Sequence, residues 1–197
     1  MPNLERRQFL QLLGLAALLT SSYELLNLQF KGKKLIRPPG SILEDRFIEV
    51  CARCGACVKT CPTSVLVLAT LEDGFKEIGT PKINALRGAC ERIQGRCQDG
   101  SLCEQTCPTG AIQNVERANF KIGSTKFERE RCIAANGGLC FVCYEVCPVQ
   151  GAITFTDENI PQFNSTLCVG CGRCVYACPA QPRALTLTLD GERRITA

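Results

Sequence analysis

The chain has 197 residues, sixteen of them Cys, with no His, no Trp and a single Met at position 1. Without His there is no Ser-His or Cys-His dyad, no Cys/His zinc finger, no Rieske centre and no His-ligated haem, so the cysteines are cross-links, all-Cys metal sites or cluster ligands. The formal charge of +4 sits mostly in the first 46 residues; the body is nearly neutral, which argues against nucleic acid, a partner that demands a clustered basic face.

Residues 1–30 read as an export signal or a retained anchor. Arg6-Arg7 precedes Gln8-Phe9-Leu10 and the apolar stretch Leu12-Leu13-Gly14-Leu15-Ala16-Ala17-Leu18-Leu19. That stretch is too short to cross a bilayer and fits the apolar core of a signal peptide. An arginine pair before it resembles a twin-arginine signal, which predicts a periplasmic or equivalent location, with peripheral membrane contact through the N-terminus if the segment is retained. Residues 31–46, which include a Lys-Gly-Lys-Lys run and Pro38-Pro39-Gly40, read as a basic linker. The folded body is expected over 47–197.

Four cysteine quartets follow, each ending in Cys-Pro. The first is Cys51, Cys54, Cys57, Cys61-Pro62, spaced C-x2-C-x2-C-x3-C-P. The second, Cys90, Cys97, Cys103, Cys107-Pro108, has gaps of six, five and three. The third, Cys132, Cys140, Cys143, Cys147-Pro148, has a first gap of seven. The fourth, Cys168, Cys171, Cys174, Cys178-Pro179, repeats the spacing of the first. Short apolar segments of strand character come after each Cys-Pro: 65–68, 111–115, 152–156 and 184–189.

The compact spacing suits a [4Fe–4S] cube, which takes four thiolates. Three closely spaced cysteines wrap one side of the cube, and the fourth lies beyond a short helical turn and points to another cube. Gly55, Gly170 and Gly172 allow backbone amides to approach the sulfides. Structural zinc prefers two separated C-x2-C pairs, and cysteines two residues apart make a poor disulfide framework. All sixteen cysteines are therefore candidate cluster ligands, for four [4Fe–4S] clusters. Such a protein is loaded inside the cell and exported folded, as the twin-arginine route allows. The expected fold is α+β: two ferredoxin-like 2[4Fe–4S] modules, small and loop-rich, with short antiparallel strand pairs.

Quartets one and four are shared with two-cluster bacterial ferredoxins. A longer resemblance is to the MauM/NapG group of ferredoxin-type proteins. It is carried by Ile36-Arg37-Pro38-Pro39-Gly40, by the first quartet, by Leu66–Leu71 and Gly79-Thr80-Pro81, and by the third quartet with its Gly137-Gly138-Leu139. The chain departs from the group at quartet two, where the first two gaps are longer. The resemblance implies four clusters, an exported location and a non-catalytic electron relay. Its implied partners are a membrane quinol-oxidising protein and a redox enzyme or cytochrome. The alternative function is an assembly or maturation factor for a partner redox enzyme.

Two pairings of the quartets are open: neighbours (one with two, three with four) or nested (one with four, two with three). The nested scheme is favoured because quartets one and four have like, compact spacing, and because the four-quartet layout resembles the iron–sulfur subunits of molybdenum oxidoreductases. It joins 47–75 to 160–197 and puts 80–158 in the middle. Cys178 would then complete the set of Cys51, Cys54 and Cys57, and Cys61 that of Cys168, Cys171 and Cys174. Cys147 would join Cys90, Cys97 and Cys103, and Cys107 would join Cys132, Cys140 and Cys143.

Overall fold

A computed structural model describes residues 33–97 and 99–196, together with residues 10, 11, 14–16 and 18, which are helical. Arg6 and Arg7 lie outside the described residues. No helix among the described residues is long and apolar enough to cross a membrane.

Helices in the body are short: α1 (Glu44–Val50), α2 (Ala56–Thr60), α3 (Leu102–Gln105), α4 (Val142–Glu145) and α5 (Arg173–Ala177). Six strands form three two-stranded antiparallel ladders. β1 (Leu66–Leu68) pairs with β2 (Pro81–Ile83), β3 (Ser124–Phe127) with β6 (Leu185–Thr188), and β4 (Ile153–Phe155) with β5 (Pro161–Phe163). The quartets themselves explain the short helices. In the first and fourth, a glycine in the left-handed region, Gly55 or Gly172, turns the chain into α2 or α5. At the far end a proline follows the fourth cysteine, and the residue before a proline is driven out of the helical region. Cys61 and Cys178 are accordingly extended, with ψ of 115° and 119°, so each leaves the direction of its own helix.

The architecture is one unit used twice. In the second unit the order is β3, quartet three with α4, hairpin β4–β5, quartet four with α5, then β6 returning to β3. In the first unit the hairpin is β1–β2, between quartets one and two. Its outer pair has shrunk to an isolated bridge, Ser41 with Ile112. Helix α2 packs on α3, and α4 packs on α5.

The nested arrangement is therefore corrected. Quartets one and two share a module, as do three and four. The physical reason is the hairpin: an antiparallel turn-back after each odd quartet lays the next quartet beside it. The segment 111–115 is also corrected, because only Ile112 pairs. Its partner stretch is Pro38-Pro39-Gly40, and prolines cannot donate to a ladder.

Residues 35–46 are not a linker. Leu35, Arg37, Ser41 and Ile42 are buried, and Arg37 is the reason. Its guanidinium is paired with Glu44, donates to Thr80 Oγ1 at 2.7 Å and to the Pro81 carbonyl at 2.8 Å, and lies 4.8 Å from the centre of the Phe47 ring. Glu44 is also paired with Arg194, so this cluster ties the segment before α1, α1 itself, β2 and the C-terminus together. Breaking a buried pair of this kind costs about 3–5 kcal/mol, far more than a linker contact would.

Candidate cluster-binding sites

Four cavities are lined by cysteines, and each takes three from one quartet and the fourth from its neighbour. Cys51, Cys54, Cys57 and Cys107 line site 1. Cys61, Cys90, Cys97 and Cys103 line site 2. Cys132, Cys140, Cys143 and Cys178 line site 3. Cys147, Cys168, Cys171 and Cys174 line site 4. The fourth-cysteine exchange expected from sequence is present, but between neighbours. Cys61 stands with Cys90, Cys97 and Cys103, not with quartet four; Cys178 serves quartet three, Cys107 quartet one and Cys147 quartet four.

The four cavities share one kind of lining, four cysteines apiece. None of the sixteen cysteines is in a disulfide. An all-cysteine donor set, four thiols to a cavity, fits a four-iron cube.

The stretched quartets close because polar staples hold their insertions. In quartet two, buried Arg92 donates to the carbonyls of Cys97 and, at 2.8 Å, Val115. Glu91 accepts from the Arg96 N–H and guanidinium, and Arg96 reaches the Pro62 carbonyl beside Cys61. The long gap therefore still delivers Cys90 and Cys97 to site 2. In quartet three the insertion is a single 3-10 turn, Ala134–Asn136. The Asn136 amide donates to the carbonyls of Cys132 and Glu130. Arg92 carries no motif that would have marked this role in advance.

Burial is the main force on the thiols. It pushes Cys57, Cys143 and Cys171 up to about 11, and Cys103 and Cys174 to about 12, with neighbouring cysteines adding to each rise. Cys90 is raised further, again with burial as the first cause. These raised thiols favour their protonated form. A positively charged guest must displace those protons to gain its thiolate ligands. Cys107 is the exception. Burial opposes its ionisation, but the N–H groups of Ile112, Thr109 and Ala111 and the Thr109 hydroxyl hold it below the ordinary thiol value.

Thr109 Oγ1 lies 3.7 Å from Cys107 Sγ. At site 2 the equivalent Thr63 stands 3.7 Å from Cys61 but donates its proton to the Ala89 carbonyl. Thr125 Oγ1 is 3.4 Å from Cys174 and 3.8 Å from Cys168. These threonines were not singled out from sequence. A signal existed for two of them, since Cys-Pro-Thr recurs at 61–63 and 107–109. Hydrogen bonds to sulfur raise cluster potentials by favouring the more negative reduced state. Thr109→Val should lower the potential of site 1 alone, on the order of 20–50 mV for one weak hydrogen bond, while Thr109→Ser retains it. A redox titration of each variant checks this; an unmoved site 1 would discard the role.

The sites form a row. Cys103 of site 2 feels Cys57 of site 1. The Cys90 N–H of site 2 donates to the Cys171 carbonyl of site 4 at 2.8 Å. Cys143 and Cys178 of site 3 pack into one core with Cys147 and Cys174 of site 4. The order along the molecule is 1, 2, 4, 3. The middle joint is close: a Cβ on Gly172 of quartet four would lie 3.0 Å from the Cβ of Ala85 in the first unit. Gly172 thus serves module packing as well as the turn into α5. Cys54, at the site 1 end, is exposed.

Comparison with known proteins agrees with this geometry. The 4Fe-4S dicluster domain matches twice, at residues 50–111 and 131–181, each match spanning two neighbouring quartets. The ferredoxin-type protein NapG of Escherichia coli is 35% identical over 165 residues, covering 76% of this chain and 68% of that protein. The methylamine utilization ferredoxin-type protein MauM of Methylobacillus flagellatus is 34% identical over 176 residues, 80% of this chain and 72% of its own length. Ferredoxin-type protein NapF of Escherichia coli is 31% identical over 156 residues, 76% and 83% of the two chains. The chain belongs to the NapG and MauM group of ferredoxin-type iron–sulfur proteins, built on two 4Fe-4S dicluster domains.

Proposed function

We propose that the chain is a one-electron relay that carries four [4Fe–4S] clusters between a membrane quinol-oxidising protein and an exported redox enzyme or cytochrome, and is not catalytic alone. The observation that carries this reading is the row of four sulfur-lined cavities, which joins exposed Cys54 at one end to the Cys140 loop at the other. The clusters supply reversible one-electron redox chemistry when bound. The chain's own residues do the rest. Sixteen thiolates hold the clusters, the Cys-Pro turns exchange the fourth ligand so that paired sites stand side by side, and the apolar cores exclude water between them.

Three measurements test it. Purified without oxygen, the protein should contain about sixteen iron and sixteen sulfide per chain. Zinc without sulfide would discard the reading, and about twelve iron would single out one defective site. Export is tested separately. Arg6→Lys with Arg7→Lys should strand cluster-loaded protein in the cytoplasm, because the pathway reads the arginine pair. Unchanged export of the double variant would remove that part of the reading. A stoichiometric complex with a membrane quinol oxidiser supports relay, whereas transient binding to an immature enzyme supports assembly instead.

A further inference from the structure

The connection from β1 to β2, residues 69–80, presents apolar side chains to solvent. Leu71 is 51% exposed, Phe75 70% and Ile78 37%, next to Leu68 at 42%. The loop is built to hold them there. Thr70 and Asp73 form a reciprocal capping box, and Lys82 is paired with Asp73. From beneath, the Arg53 guanidinium donates to the carbonyls of Lys76 and Ile78, both at 3.0 Å. Polar bonds thus fix the backbone while, among the described residues, the apolar tips stay exposed.

Two observations indicate what covers them. The first is where the N-terminal segment joins the body. The Lys33 N–H donates to the Asp73 carbonyl at 2.9 Å, so the chain that carries the Leu12–Leu19 apolar run arrives at this loop. The second is charge. Lys33, Lys34 and Lys76 are exposed around the loop, while Asp73 is paired, Glu77 is buried, and Glu72 is the loop's exposed acid. Apolar tips ringed by cations, beside the root of an apolar segment, match an anionic lipid surface.

We propose that the 69–80 loop inserts its apolar tips into the headgroup region of an anionic bilayer. It acts as a second anchor beside the N-terminal segment and sets site 1 nearest the membrane, with site 3 farthest from it. A single short apolar anchor gives only marginal, reversible attachment, and stable attachment takes two signals. The loop supplies the second.

The chain has no Trp, so Phe75→Trp is a lone fluorescent reporter, with Leu139→Trp at the site 3 end as its control. Cluster-loaded full chain is mixed with vesicles of phosphatidylglycerol and phosphatidylcholine. Emission from Phe75→Trp should shift to the blue and be quenched by brominated lipid, and Leu139→Trp should respond to neither. Leu71→Ser with Phe75→Ser should lower the vesicle partition coefficient about tenfold, with iron content unchanged as the check on folding. High salt should weaken binding of the parent chain. If both Trp reporters respond alike, or neither responds, the proposal falls. It also falls if the Ser pair leaves vesicle binding intact but abolishes co-purification with a membrane protein, which would assign the loop to a protein partner. Vesicle partition requires no electron transfer, so its failure leaves the relay reading standing.

Discussion

Replacing Cys61 with Ala should empty or damage site 2 and leave sites 1, 3 and 4 loaded. Cys61 follows the first quartet in sequence, but it lines the cavity of Cys90, Cys97 and Cys103, and its charge is felt by Cys97 and Cys103. Losing one thiolate from a four-thiolate site costs the cluster or converts it to a three-iron form. Iron per chain should fall from about sixteen toward about twelve. The decisive experiment is a pair of double variants. Cys61→Ala with Cys90→Ala should lose no more than either change alone, because both ligands belong to one site. Cys61→Ala with Cys168→Ala should lose two sites, down to about eight iron. Under a nested arrangement the two results would be reversed. Non-additivity is expected only between residues that share a partner, so iron analysis of four variants settles the pairing without a structure.

The cysteines that line the cavities were legible in the sequence because their signal is local. Cys-x2-Cys-x2-Cys-x3-Cys-Pro prescribes a loop, a helical turn and an extended exit, and α2 and α5 form where those rules place them. Three of the four expected strands appear for the same reason. The pairing of quartets was not legible from cysteine spacing, because spacing describes how a loop wraps one cube and carries no information on which loop lies beside it. That is decided by the chain between quartets. The relevant repeat is in the hairpins: β2 and β5 both begin with proline, at Pro81 and Pro161, and both are followed by asparagine. Asn84 donates its N–H to Val65 and caps Leu86 through its side chain; Asn164 donates to Ala152 and caps Thr166 in the same way. This Pro-x-apolar-Asn repeat matches unit one-two to unit three-four, and it contradicts the nested scheme from sequence alone. The burial of residues 35–46 was hidden for a different reason. A basic, proline-rich stretch has the composition of a linker, and only the tertiary partners of Arg37 (Thr80, Pro81 and the Phe47 ring) make its charge welcome inside.

Removing site 4 should cut site 3 off from the other half of the molecule. The row runs 1, 2, 4, 3, and the modules meet where the Cys90 N–H donates to the Cys171 carbonyl. Cys171 is buried at that joint, and the neighbouring Gly172 packs against Ala85 of the first unit. Cys171→Ala removes a site 4 ligand from the middle of the row, whereas Cys140→Ala removes a ligand from its far end. With a photosensitiser tethered at Lys76, beside site 1, a light pulse introduces electrons at one end only. In the parent chain all four sites should come to redox equilibrium. Cys140→Ala should leave sites 1, 2 and 4 exchanging at the parent rate. Cys171→Ala should leave sites 1 and 2 reduced and site 3 oxidised on the same timescale, although site 3 keeps its four cysteines and its potential in an equilibrium titration. That last control separates broken connection from altered energetics, because a titration with mediators reaches site 3 directly. Reduction of site 3 at the parent rate in Cys171→Ala would show that site 4 does not stand between the two halves, and the row would have to be redrawn.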